Sequence, residues 1–414
     1  MQVLYPRCAG LDVHKKTVVA CLMLTSDTAQ VYKELRTFAT TTAGLLALSD
    51  WLSSQHVTHV AMESSGVYWR PVFNLLEGLF IVILVNAQHM KAVPGRKTDA
   101  KDSEWIAELL RHGLLKASFI PPQPIRDLRD LLRYRKTLVY ERSQEVNRLH
   151  KLLETANIKL ASVASDILGK SGRRMLDCLL EGLSDPEALA DLARGSLRGK
   201  IAQLREALDG RVDAHHRILL QQLLAHIDFL EQSMQTLLAA IESRLLPYEQ
   251  AMQLLLSIPG IQRITAATIV GEIGVDMTRF PSAKHLASWA GVCPGNKQSG
   301  GKRLSGKATK GNPRLRAALA EVVWVISHMK DNYLSAQYHR LARRIGKSRA
   351  IVAVSHSLLV IIYHVLREQK PYRDLGSPYF ETLDQQQQRS RAIQRLEALG
   401  YSVTLQARQQ EVPA

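Results

Sequence analysis

Four carboxylates stand in surroundings that ask for a reason. Asp12 lies inside "AGLDVHKK", where a strand running into a hairpin prefers an apolar or β-branched residue. Glu63 ends the apolar run "HVAMES", and Asp99 and Asp102, in "RKTDAKDSEW", are spaced to share one face of a predicted helix start. Carboxylates brought to one place offer hard oxygen donors, the ligands Mg²⁺ takes when it bridges a scissile phosphate. Each acid also has a plainer reading. Asp99 and Asp102 suit the first turn of any helix, where the macrodipole favours negative charge, and Glu63 suits a strand end at the surface. Asp12, set between "AGL" and "V", fits a plain reading least well.

A second chemical signal lies far along the chain. The stretch "NKQSGGKRLSGKATKGNPRLRAAL", residues 296–319, carries Lys297, Lys302, Arg303, Lys307, Lys310, Arg314 and Arg316 and no carboxylate. Gly295, Gly300, Gly301, Gly306 and Gly311 let its backbone approach a polyanion closely. So many like charges repel one another unless an anion lies among them, which favours phosphate contact over a merely solvated loop. Ser299 and Ser305 sit among those glycines. A serine hydroxyl is a weak nucleophile that neighbouring cations and a metal can turn on a phosphodiester, yet most loop serines do nothing of the kind. Upstream, "SIPGI" places Pro259 and Gly260 between two helical patterns. This helix-hairpin-helix form either grips a phosphate through backbone amides or is a structural turn.

The elements that must position these residues fall into regions of different texture. From residue 1 to 122, "AGLDVHKKTVVACLML" and "VYKELRTFA" read as successive strands. "TTAGLLALSDWLSSQ" follows as a threonine-capped helix, "HVAMES" as a strand, "VYWRPVFNLLEG" as a mixed segment and "FIVILVN" as an apolar strand. The alternation predicts an α/β layered domain whose topology resembles ribonuclease H. In such a sheet a first-strand carboxylate, one at the end of a later central strand and one on a helix meet at one edge.

Residues 123–248 read as long charged helices. Leu132, Val139, Val146 and Leu153 recur every seven residues, and Leu220, Leu223, Ile227, Leu230, Met234, Leu237 and Ile241 follow a heptad pattern. An antiparallel helical hairpin, a coiled coil and a plain amphipathic bundle all satisfy it. Residues 249–376 form a third, mostly helical region, and residues 377–414, with "QQQQ", are a weakly patterned tail.

The 414 residues are 46% apolar, enough for real cores, and carry a net charge of +16, which makes nucleic acid the natural partner. "AIVAVSHSLLVIIYHVLR" is broken by Ser355, His356, Ser357 and His364 and reads as a buried helix, so a membrane is not expected as a partner. "TVVACLML" lacks a small-residue cleavage site, and a cytoplasmic, bacterial setting is the expectation. Cys8, Cys21, Cys178 and Cys293 have no CxxC spacing and indicate neither zinc nor a disulfide framework.

Taken in order, "GLDVHK", "MESSGVYW", "RKTDAKDSEWIAELLRHGLL", "SIPGI", "RFPSAKHLASWAGVCPGNKQSGGK" and "KGNPRLRAAL" resemble the DEDD transposases of insertion sequences, the Piv/MooV-type recombinases directed by a structured guide RNA. The resemblance spans roughly residues 5–375 and is specific as an ordered set, while a single piece such as the hairpin is weak. It implies an α/β plus α fold: a RuvC-like domain, a coiled-coil dimerisation segment, and a helical transposase domain with a nucleophilic serine. The acidic set falls on Asp12, Glu63, Asp99 and Asp102 with Mg²⁺ as cofactor, and the serine on Ser299, with Ser305 as the fallback. DNA, a guide RNA and further copies of the chain, as dimer or tetramer, are the implied partners. Arg96, Lys97, Lys101 and Arg111 stand near the acid pair and are candidates for contact with either nucleic acid. Two other readings share parts of this pattern: a junction nuclease that uses water with the same carboxylates, and a non-catalytic nucleic-acid scaffold.

Overall fold

β-Branched and apolar residues in close succession, broken by short polar turns, make the first part of the chain a sheet. In the computed structural model, which describes residues 2–404 apart from 27, 29, 65, 87–101, 296, 301 and 307, β1 (Arg7–Val13), β2 (Thr17–Thr25) and β3 (Val31–Ala39) form an antiparallel meander. Helix α1 (Thr42–Ser54) starts at Thr41, whose hydroxyl accepts from the Gly44 N–H at 3.3 Å. Strand β4 (His59–Glu63) then pairs parallel to β1, and after α2 (Trp69–Leu76) strand β5 (Ile81–Val85) pairs parallel to β4. The sheet order is β3-β2-β1-β4-β5, a mixed sheet with β1 at its centre. The alternation of strand and helix read from the sequence is present element for element.

Both faces of this sheet are covered, which is why β1 and β4 are apolar without strict alternation. Leu11, Leu22, Val60 and Met62 pack on Leu48, Leu52 and Leu76 from α1 and α2. On the other face Cys8, Cys21 and Ala61 pack on Ile106, Ala107 and Leu110 of α3 (Asp102–Arg111). Gly10 makes that second contact possible. A Cβ placed there would lie 2.3 Å from the Ser103 carbonyl oxygen and 2.4 Å from the Ala107 nitrogen, so the helix backbone rests directly on the strand.

The chain divides into two compact units, Met1–Gln123 and Pro124–Ala414. The second begins with the long helix α4 (Gln123–Thr155), passes through short helices at Leu160–Val163, Lys170–Glu181, Pro186–Ala190 and Ile201–Leu208, and returns along α5 (Ala214–Leu245). The pairs Arg142–Glu231 (2.6 Å) and Glu145–His226 (3.4 Å) run in opposite directions along the two helices, so α4 and α5 are antiparallel within one chain. Leu149, Leu153, Leu220, Leu224 and Ile227 form a core with the short helices. Leu224 is buried where the heptad pattern chose Leu223, and Met234 and Leu237 are only half-buried. A straight helix repeats every 3.6 residues and drifts off a 3.5-residue seam.

Helices α6 (Glu249–Leu256), α7 (Arg263–Ile273), α8 (Ala283–Ala290), α9 (Pro313–Ser327), α10 (Tyr333–Ile345) and α11 (Lys347–Glu368) follow in this unit. A two-stranded hairpin, β6 (Lys297–Ser299) and β7 (Lys302–Ser305), lies between α8 and α9, and α12 (Tyr379–Ala398) follows in the tail. Helix α11 is long and apolar enough by composition to cross a membrane, yet it packs among α6, α8, α9 and α10 with Val354, Leu358, Ile362 and Tyr363 buried. The Tyr363 hydroxyl donates to the Phe280 carbonyl at 3.3 Å, a polar contact that suits the interior of a helical bundle.

Gly10→Ala tests the helix-on-strand contact. The added methyl must lift α3 off β1, at a cost on the order of 1–3 kcal/mol, the usual penalty for overpacking. Gly78→Ala is the control, since nothing lies within 4 Å of a Cβ there. Thermal unfolding should show a lowered midpoint for the first variant and none for the second.

Candidate functional site

The register of β1 on β4 decides what stands at the carboxyl ends of the two strands. Leu11 is opposite Met62, so Asp12 and Glu63, each one residue on, are neighbours on strands about 4.8 Å apart. Alternation puts Cys8, Gly10 and Asp12 of β1 on the same face as Ala61 and Glu63 of β4, the face covered by α3. Asp102 is the first residue of α3, and the Ser103 carbonyl beside it touches β1 at Gly10, one pleat before Asp12. Three of the four predicted acids therefore share one face and one end of the sheet. Asp99, with Arg96, Lys97 and Lys101, falls outside the described residues.

The Asp12 side chain is 27% exposed, with a carboxylate oxygen 3.1 Å from His14 Nε2. Glu104 and Glu108 on α3 are engaged elsewhere: Glu104 pairs with Lys33, and Glu108 with Arg111 at 2.6 Å and His112 at 3.1 Å. Arg111 is thus committed to α3 itself. Asp12, Glu63 and Asp102 offer only carboxylate oxygens, the donor class that a hard divalent cation takes. As three like charges they are not drawn into mutual ligand distance. Among the described residues the trio that is, with ligand atoms within 4.8 Å of one another, is Asp213, His215 and His216. Two of the three form a helix cap: the Asp213 carboxylate accepts the His216 backbone N–H, and His216 Nδ1 accepts the Asp213 N–H at 3.3 Å. On the face that α3 covers, burial pushes the Cys8 thiol up to about 12 and the Cys21 thiol to about 11, so both are neutral packing groups at ordinary pH.

The basic stretch folds as a hairpin on a narrow neck. Ser299 pairs with Lys302 across a two-residue turn, and Gly300 at φ 56° suits the first central position of a primed hairpin turn. Lys297 pairs with Ser305, and Gln298 with Arg303. At the base, Gly291 closes α8 in the left-handed region at φ 74°, and Gly311 lies against it. A Cβ on Gly311 would sit 2.3 Å from the Ala290 carbonyl oxygen, and the Asn312 N–H donates to that oxygen at 3.2 Å. Of the predicted cations, Lys302, Lys310 and Arg314 are exposed, while Arg316 donates to the Thr309 and Lys310 carbonyls at 3.4 and 3.3 Å. Lys307 is outside the described residues. Gly260, at φ 79°, turns the chain between α6 and α7, and a Cβ there would meet Ile326 of α9 at 2.8 Å.

Sequence reasoning passed over the group that holds this neck. Glu272, 2% exposed on α7, accepts from Arg133 Nε at 2.8 Å and Nη2 at 2.7 Å, and from Asn312 Nδ2 at 2.7 Å. Those bonds hold the Arg133 guanidinium above its ordinary pKa. Gly271 lets α4 come close, its Cβ position being 2.9 Å from the Leu132 side chain. Asn312 Oδ1 meanwhile caps α9, accepting from Arg314 N at 3.0 Å and Leu315 N at 3.1 Å. A charge inside "TIVGEIG" was the available signal, the same argument that singled out Asp12. Next to this clamp is a cavity of about 160 Å³ lined by Arg129, Arg135, Lys136, Arg314 and Thr268.

Comparison with known proteins bears on both regions. Residues 9–158 match a DEDD transposase family of the IS110 group, and residues 252–339 match the family described as transposase IS116/IS110/IS902. The transposase for insertion sequence element IS1111A of Coxiella burnetii is 25% identical over 78% of this chain and 81% of the relative. The pilin gene-inverting protein of Moraxella bovis is 24% identical over 88% of this chain and 96% of the relative. A 43.6 kDa protein of insertion element IS110 from Streptomyces coelicolor is 27% identical over 66% of this chain. The first matched region contains the carboxylates and the second contains the hairpin. A DEDD-type domain suggests use of a divalent metal, and a transposase binds and rearranges DNA. Two successive matches to one group, on the two regions where the chemistry lies, show that the chain carries transposase domains of the IS110 family.

Proposed function

We propose that this transposase cuts and rejoins donor and target DNA through a phosphoserine intermediate, with Ser299 as nucleophile and a structured guide RNA selecting the sites. The observation that carries the reading is the side-by-side placement of Asp12 and Glu63, with α3 starting at Asp102 over the same face. With the order β3-β2-β1-β4-β5, this arrangement supports a RuvC-like assignment for the first unit. Asp99 is the fourth acid of the proposed set. Mg²⁺ held by these carboxylates would act as a Lewis acid on the scissile phosphate.

The residues of the chain do the rest. The Ser299 oxygen forms a bond to phosphorus as a bridging P–O bond breaks, and the leaving strand end takes up a proton as a free hydroxyl. The new phosphoserine ester conserves the energy of the broken ester, so attack by a hydroxyl of another strand rejoins DNA without ATP. Lys302, Lys310 and Arg314, exposed around the hairpin, would neutralise the strand, with Lys297, Arg303, Lys307 and Arg316 as further phosphate contacts and the Gly260 turn as a backbone grip. Ser305, opposite Lys297 on β7, is the fallback nucleophile. Residues 123–248 are proposed as the dimerisation segment, in a dimer or tetramer acting on DNA in the cytoplasm. The DNA inversion named for the Moraxella bovis relative is a rearrangement of the same class and supports cutting coupled to rejoining.

Four outcomes follow. Incubated with labelled element junction, guide RNA and Mg²⁺, the protein should give DNA that stays attached to it in denaturing electrophoresis. Ser299→Ala should abolish both the adduct and the cut, whereas a nuclease that uses water would still cleave. Arg314→Gln and Lys310→Gln should each reduce the slope of log affinity against log salt by about one, the signature of a lost phosphate contact, as read by DNA-binding titration. If carboxylates and serine act across subunits, a mixture of Asp12→Ala and Ser299→Ala proteins should recover cleavage that neither shows alone.

A further inference from the structure

We propose that Glu272 is a positioning residue for the serine hairpin. Its buried carboxylate fixes the neck of the 292–310 loop to helix α4, and so sets where Ser299 can reach. This rests on the transesterification reading above, and the experiment separates the two.

Three elements end on this one carboxylate: α7, which carries it, α4 through both Arg133 nitrogens, and the start of α9 through Asn312. An ion pair that served only stability would need the first two. The third bond goes to the residue that closes the loop. Asn312 directly follows Gly311, whose backbone is in contact with Ala290 and Gly291 at the loop's other end, and its own N–H is bonded to the Ala290 carbonyl. Neither Gly291 nor Gly311 leaves room for a Cβ between the two segments of the neck. A shift of Asn312 is therefore a shift of the loop's closed base, from which the hairpin extends. A displacement of about 1 Å is enough to lower the rate of an in-line attack roughly a hundredfold while leaving strand binding nearly intact.

Asn312→Asp isolates the contact. Aspartate caps a helix as well as asparagine does, so the α9 cap survives, but a carboxylate then faces Glu272 where a donor stood. Glu272→Gln in the same chain restores a hydrogen bond to residue 312 with its direction reversed, at the loss of the Arg133 Nη2 bond that shares Oε2, while Arg133 Nε keeps its acceptor at Oε1. The full chain, with junction DNA, guide RNA and Mg²⁺, is assayed for single-turnover cleavage at saturating DNA and, separately, for DNA affinity and melting temperature. The expected result is a fall of at least tenfold in the saturating rate for Asn312→Asp, an affinity within threefold of the parent, and recovery to within threefold of the parent rate in the double variant. An unchanged saturating rate in Asn312→Asp, or a defect confined to affinity, overturns the proposal. Should Asn312→Asp fail to fold, the double variant decides: at the parent melting temperature, a rate below a tenth of the parent overturns it, and a parent-like rate supports it. Full cleavage by Ser299→Ala would sink the serine chemistry, and the rate loss and rescue at residue 312 would still report on the clamp.

Discussion

The parallel pairing of β1 with β4 is the constraint on which the first unit depends. It fixes Asp12 beside Glu63 by backbone hydrogen bonds alone, before any side chain has to adjust. A slip of one residue would send Asp12 to the face packed by α1 and α2, where an unpaired charge would be buried among leucines. The apolar content of the two strands therefore does two things. It covers both faces of the sheet, and it fixes the register that brings the acids to a common, partly open end.

Helix α3 depends on the same strand. Its first turn reaches β1 because residue 10 has no side chain, and the acids at its start are held there by a backbone contact. Glu104 and Glu108 of the same helix are neutralised by Lys33, Arg111 and His112, which leaves the acids at the sheet end as a separate group. Burial of Cys8 and Cys21 under α3 adds apolar packing and no thiolate.

The second unit solves an opposite problem, that of holding a strongly cationic loop in a defined place. Like charges in a flexible loop would spread it. Here two glycines close its base, an asparagine caps the next helix, and one buried carboxylate accepts three hydrogen bonds from two other elements. A buried carboxylate is tolerated because a bidentate guanidinium compensates its desolvation. The long helix α4 is thereby tied both to α5, through Arg142 and Glu145, and to α7, through Arg133.

Much of this was legible in the residues themselves. Strand and helix succession in the first unit follows from local periodicity and turn chemistry, and Asp12 stood out because a charge in an apolar run is costly without a purpose. The long helices were legible too, because they depend on repeated local spacing. The precise seam was not: Leu224 replaces Leu223 because burial follows the real helical period and the shape of the neighbouring short helices. The sequence by itself determined which segments are strands or helices and where the anomalous charges lie, since those depend on neighbours along the chain. Only the tertiary structure decided which charges meet. The pairing of Asp12 with Glu63 depends on sheet register, and the bonds from Glu272 to Arg133 and Asn312 join residues remote in the chain, through packing that no local pattern encodes.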